Sequence, residues 1–171
     1  MNKIKIAFLF LLSIISFSAC EKDDICVDGD TPLLIIRFYD AEDRTELKAV
    51  PSLRVVGIGQ TTTVNTITDR SSTLDSISLP LRIDATTTGF TLITDSEDDD
   101  TGAEIGNSDI LNFNYIVNEK FISRACGFVA NFDDLSHELT TDEENWIIDV
   151  EVTKTLVTTE TTTTAHVKIF H

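Results

Sequence analysis

The stretch that decides the fold is "LNFNYIV", residues 111–117. Leu111, Phe113, Tyr115 and Val117 fall on one side of an extended chain, and Asn112 and Asn114 fall on the other. Successive side chains of a strand point to opposite faces, so this alternation reads as a strand with one face in a core and one in water. Moving outward, Ile77, Leu79, Leu81 and Ile83 alternate with Ser76, Ser78, Pro80 and Arg82. Pro80 has no N–H to give a ladder, which marks that run as an edge strand or a bulge. Later, Trp146, Ile148, Val150 and Val152 are expected to face inward against Asp149 and Glu151.

Between these lie shorter runs of the same kind. "LLIIRFY", residues 33–39, is apolar on both faces at first and suits a central strand. Leu53, Val55 and Val56 mark another strand, as do Phe90, Leu92 and Ile93. Phe121 and Ile122 lead to Cys126, and Ala165, Val167 and Ile169 close the chain. The last two strands are expected to form a hairpin around "VTTETTTT", residues 157–164. A turn or two of helix is expected around residues 133–139. β-branched residues dominate, and turn residues punctuate the runs. The reading is all-β: a single antiparallel β-sandwich domain of about seven or eight strands over residues 32–171, with a closed barrel as the alternative.

Charge narrows the function. The 171 residues carry 13 Lys and Arg against 29 Asp and Glu, for a formal net charge of −16. Phosphate binding needs clustered cations, so nucleic acid is not an expected partner. Electrostatic adhesion to anionic lipid is disfavoured for the same reason.

The first nineteen residues do not resemble part of a fold. Lys3 and Lys5 precede an apolar run, residues 6–17, that is too short to span a bilayer as a helix and fits a signal-peptide core. Small residues, Ser18 and Ala19, then stand before Cys20. This resembles the lipobox of bacterial lipoproteins, although Phe17 departs from the usual Leu. The resemblance implies cleavage before Cys20 and lipidation of its thiol. Residues 1–19 are then signal peptide and residues 20–31 a lipidated tether. Removing Lys3 and Lys5 takes the net charge from −16 to −18, so the implied membrane anchor is covalent. Lys22, Asp23 and Asp24 resemble the export signal of Bacteroidota lipoproteins. That resemblance implies the outer membrane, with exposure on its outer face and the periplasmic leaflet as the alternative.

Two thiols remain, Cys26 and Cys126, and export would deliver them to an oxidising compartment where such a pair is expected to join. No CxxC and no Cys/His cluster with zinc spacing appears, and His137, His166 and His171 stand alone. The acidic run "DSEDDDTG", residues 95–102, invites calcium, with Asp98, Asp99 and Asp100 as oxygen ligands. Yet with Gly102 at the loop glycine position, Thr101 and Ser108 fall where acids should be, so a solvated hairpin loop is preferred. G-x-S-x-G is absent, and His137-Glu138 has no second His at zincin spacing. No catalytic residue, metal site or cofactor is assigned. The Thr tracts, residues 61–63 and 161–164, lack the regular repeat of a flat Thr array and read as strand edges or loops.

The set "CEKDDIC…TPLLIIRFYD…ISLPL…NFNYIVNEKFISRACGF…HVKIF" resembles an uncharacterised lipoprotein family of Bacteroidota, the domain-of-unknown-function family numbered 6452. Its most specific parts are the Cys-x5-Cys start, the Leu79-Pro80-Leu81 strand and the Cys126-Gly127-Phe128 corner. The resemblance implies an outer-membrane-anchored, mostly β protein, with an outer-membrane β-barrel as a conceivable partner, and supplies no activity. The expected function is a non-enzymatic binding or scaffolding module of the cell envelope. The alternatives are a ligand- or glycan-binding accessory lipoprotein and, below it, a hydrolase. Two convergent carboxylates in a pocket would favour the hydrolase. An aromatic platform using Trp146 or Tyr39 would favour ligand binding. An exposed apolar patch would favour the binding module.

Overall fold

The computed structural model describes residues 31–159 and 164–171. It is all-β, with eight strands: β1 (Leu34–Tyr39), β2 (Arg54–Gly57), β3 (Ser76–Leu79), β4 (Thr87–Thr94), β5 (Asn107–Ser123), β6 (Gly127–Leu139), β7 (Asp149–Val152) and β8 (Val167–Phe170). They form two four-stranded sheets, ordered β3-β1-β8-β7 and β2-β4-β5-β6. The inward faces of both sheets share one core, to which Ile36 and Phe38 contribute from one sheet, and Leu92, Phe113 and Phe132 from the other. The sandwich read from the alternation is therefore present, with one departure from antiparallel order. β1 and β8 run parallel, with Ile36 opposite Val167 and Tyr39 opposite Phe170. The long chain between them makes this possible, since parallel neighbours cannot be joined by a tight turn.

The defining stretch behaves as the period of two demands. Leu111, Phe113 and Tyr115 are buried, whereas Asn112 and Asn114 on the opposite face are only partly so. The residues 33–39 strand is central, between β3 and β8. Pro80 does lie at an edge: β3 is the outermost strand of its sheet and ends at Leu79.

Three expectations fail, each for a local reason. Residues 133–139 are strand, paired with β5, and not helix. Phe132, Leu135 and Leu139 stand three and four apart, which imitates a helical face. The spacing comes from a β-bulge between Asn114 and Ile116, where Asp134 on β6 takes a positive φ of 54°. A bulge inserts one extra residue and so shifts the alternation. Ile83 is 60% exposed because the strand has already stopped before Pro80. Ile148 is 66% exposed, and Ile147 takes the inward place. These residues precede β7, and the buried carboxylate of Asp109 draws Ile147 in by accepting its backbone N–H at 2.8 Å.

β7 and β8 do pair antiparallel, as the expected hairpin requires. Part of their connection also lies along the outer edge of β6. Phe132 and Val157 exchange backbone hydrogen bonds of 3.1 and 2.8 Å, and Leu135 N–H donates to the Thr155 carbonyl. An open sheet edge is thereby partly covered. A partly buried polar ring ties the two sheets together. Arg82 N–H donates to Thr88 Oγ1 at 3.0 Å, and the Tyr115 hydroxyl donates to the Arg82 carbonyl at 2.8 Å. The hydroxyls of Thr88 and Tyr115 bond to each other. This ring pins the chain where it passes from β3 in one sheet to β4 in the other.

Candidate functional site

Cys20, Lys22, Asp23, Asp24 and Cys26 lie outside the described residues. Cys126 lies within them, in the tight turn between β5 and β6, where its N–H donates to Ser123 Oγ at 3.1 Å. Its side chain is partly buried. Gly127 follows with φ of 71°, the left-handed conformation that a glycine adopts without a Cβ clash.

The hairpin that carries Cys126 is long. Its inner half packs in the sandwich; its outer half extends past the bulge. There Val117 stands opposite Phe132, Glu119 opposite Ala130, and Phe121 opposite Phe128. Phe132 and Ala130 are buried, but Phe121 is 55% and Phe128 is 66% exposed. The two rings meet edge to face with centroids 5.3 Å apart. An apolar patch therefore sits beside the turn. Sequence alternation had only placed Phe121 on the way to Cys126.

At the opposite end of β5, the acidic run is a small hairpin of its own. Asp99 N–H donates to the Ala103 carbonyl at 2.8 Å, and Ile105 N–H to the Glu97 carbonyl at 2.9 Å. The Asp99 carboxylate accepts from the backbone N–H groups of Thr101 and Ala103 and from the Thr101 hydroxyl. Asp98 pairs with Arg70, and Glu104 with Arg54 at 3.1 Å. Burial pushes the Glu104 carboxyl up. Hydrogen bonds from the Ser96 hydroxyl, from the Gly106 and Glu97 N–H groups and from Arg54 outweigh it and bring the pKa to about 2. Gly106 must be glycine here, because a Cβ would stand 2.7 Å from the Thr94 carbonyl oxygen and 2.8 Å from the Ser96 Cα. Of the three carboxylates considered for calcium, Asp98 is thus engaged with an arginine and Asp99 with backbone donors. Among the described residues, no group of three or more His, Cys, Asp and Glu is placed to hold a metal ion.

The remaining titratable groups serve structure. Asp109 is 1% exposed; burial raises its pKa, and its Oδ1 has no hydrogen-bond partner among the described residues. His166 is also 1% exposed, and its Nδ1 accepts the Ile35 N–H at 3.0 Å. That lone pair is available only on a neutral ring, in keeping with the lowering of its pKa by burial and by the Lys154 charge. His171 sits edge-on to Phe38 and Trp146, and burial lowers its pKa too. His137 lies in β6, opposite Phe113. Trp146 donates its indole N–H to the Leu92 carbonyl, and Tyr39 packs against Phe170 with Lys168 over its ring. Neither ring forms an open platform.

Two clefts among the described residues stand out by volume. One, of about 890 Å³, is lined by Ile58, Gln60, Thr62, Arg82, Phe90 and Asn112 among others. The other, of about 830 Å³, is rimmed by Asn107, Ser108, Asp142, Glu143 and Glu144. Asp109 and His166 line neither cleft; Glu104 lines a smaller one, of about 340 Å³, with Arg54 and Asp98.

The arrangement defines an all-β, two-sheet domain with a cysteine at one hairpin tip and a charge-clamped loop at the other end of the same strand. The chain belongs to DUF6452, a family of unknown function, which matches residues 52–171, more than two thirds of its length. The match begins after β1, so it covers Cys126 but neither Cys20 nor Cys26. No curated protein and no solved structure matches the chain.

Proposed function

We propose that this protein is an outer-membrane-anchored lipoprotein whose β-sandwich is a non-enzymatic binding or scaffolding module of the cell envelope, displayed on the cell surface. The address rests on Ser18, Ala19 and Cys20, and on Lys22, Asp23 and Asp24. The observation that carries the functional reading is the separation of the shifted titratable groups. Glu104, Asp109 and His166 lie apart, and each holds a loop or a strand junction. Asp98 and Glu104 do share a small cleft of about 340 Å³, but both are paired with arginines there, whereas a catalytic acid and base must be free to exchange protons. Cys126 is assigned to a bridge with Cys26. What supports this is the commitment of Cys20 to lipid on this reading, which leaves Cys26 and Cys126 as the remaining thiols. Such a bridge ties the tether to the tip of the β5–β6 hairpin.

A second reading, a ligand- or glycan-binding accessory lipoprotein, draws on the cleft of about 890 Å³. Gln60, Asn112 and Arg82 offer amide and guanidinium groups to hydroxyls beside the apolar Ile58 and Phe90, the mixture expected of a small-molecule site. A hydrolase ranks below both.

The anchor is tested by Cys20→Ala. The variant is expected to accumulate as an unprocessed precursor that lacks the acyl mass and fails to partition with lipid-modified protein into detergent. A processed, acylated product from this variant would overturn the reading.

A further inference from the structure

We propose that the aromatic tip of the β5–β6 hairpin docks into the headgroup–acyl boundary of the membrane that carries the lipid anchor, so that the sandwich stands on that leaflet by two contacts. This inference rests on the anchor and on the Cys26–Cys126 bridge proposed above. Three observations lead to it.

The first is placement. Phe121 and Phe128 face each other across the ladder, with Cys126 two residues from Phe128. Cys20 and Cys26 are six residues apart. Six extended residues span at most about 20 Å. The disulfide and the two residues from Cys126 to Phe128 lengthen this reach, so the bridge keeps the rings within about 35 Å of the acylated cysteine.

The second is chemistry. Phe121 and Phe128 lie on the same face of the hairpin as buried Phe132 but farther out, where their rings stay in the open. Amphipathic elements that rest on a bilayer bury such rings at its boundary.

The third is charge. The protein as a whole is strongly acidic, which would repel an anionic leaflet. From residue 118 to residue 131, Glu119 is the sole acid and is set against Lys120 and Arg124. The tip thus carries no net negative charge and does not oppose approach to lipid headgroups. The clamped acidic loop lies at the far end of β5, on the order of 50 Å away along the strand, and faces away from the leaflet. The membrane contact is made by rings, with the acyl anchor supplying the standing attachment.

The test uses the full processed, lipidated protein in phosphatidylcholine vesicles that contain brominated acyl chains, with bromine either near the carbonyls or near the chain ends. Phe128→Trp, and separately Phe121→Trp, place a reporter at the tip. Wild-type protein supplies the baseline from Trp146, which packs against Phe38 at the other end of the domain. The proposal expects both variants to float with the vesicles, to show blue-shifted emission, and to be quenched by the shallow bromines, while wild-type emission is unchanged. Protein that does not float overturns the anchor and the docking together. Protein that floats with an unquenched tip overturns the docking alone. A tip reporter that shifts only when a fraction of outer-membrane proteins is added would make the patch a protein-binding surface and would also overturn it.

Discussion

β5 emerges from an acidic loop held by two arginines, and at its other end it turns through Cys126 into β6 with two phenyl rings in the open. The loop is dense in charge and closed upon itself: Arg70 and Arg54 meet Asp98 and Glu104, and Asp99 is consumed by backbone donors. The tip is poor in charge, and the groups it presents are the ones a folded domain usually covers. One strand thus connects an end whose polar groups find partners within the domain to an end that offers apolar surface outward. The contrast shows why composition alone misleads here. The run "DSEDDDTG" attracts attention as a ligand site and proves to be a structural clasp, whereas the plainer "FISRACGF" carries the exposed patch and Cys126.

The largest expected effect comes from the middle of the strand, where both ends are indifferent. Phe113 is fully buried, with its ring 6.4 Å from that of Phe90. Phe113→Ala should destabilise the domain by about 3–5 kcal/mol in a chemical denaturation curve. A loss below about 1 kcal/mol would mean that the two sheets do not share a single packed core.

Next is the tip. Cys126→Ser should cost about 2–4 kcal/mol under oxidising conditions and nothing after reduction, since a bridge to Cys26 closes a long loop in the unfolded chain. In the wild type, Cys26 and Cys126 should take up alkylating reagent only after reduction and unfolding. Labelling of both without reductant would remove the bridge, and the contrast between the two ends would lose its covalent half.

The smallest effect belongs to the acidic end. Glu104→Gln should cost about 1–2 kcal/mol near neutral pH, within the range for hydrogen bonds to a charged group and reduced because the side chain is partly wet. The carboxyl is held at about 2, below its ordinary 4.5. Its contribution is therefore complete above pH 4.5 and is lost as pH falls toward 2. The gap between variant and wild type should close over that window. A gap that stays constant with pH would show that the clasp does not depend on the ionised carboxylate.

Much of the fold was legible. The alternation in residues 111–117 and 76–79 gave correct inward faces, and the apolar run at 33–39 marked a central strand. What escaped had particular causes. The bulge at Asp134 placed Phe132, Leu135 and Leu139 at helix-like spacing, so a strand passed for a helix. Asp109, nearly forty residues upstream, captured the Ile147 N–H and reversed the facing of Ile147 and Ile148. The partners of the acidic run, Arg54 and Arg70, come from elements that precede it by several turns of chain, and no local pattern announces them. The same holds for His166, whose Nδ1 meets the N–H of Ile35, 131 residues away in sequence.

The division follows from the range of the forces involved. Alternation, proline and turn residues act over a few positions, so the all-β class, an edge at Pro80 and the inward side of β5 can be read directly from the order of residues. The expected targeting segment is equally local, because such a segment would be recognised as a linear peptide. Which strands become neighbours depends on how whole apolar faces are buried against each other, and the parallel pairing of β1 with β8 exists only after both sheets have closed on the core. The positions of Phe121 and Phe128 are settled at that stage as well. Their hydrophobicity is written in the chain, but their exposure results from β5 and β6 continuing beyond the packed body of the sandwich.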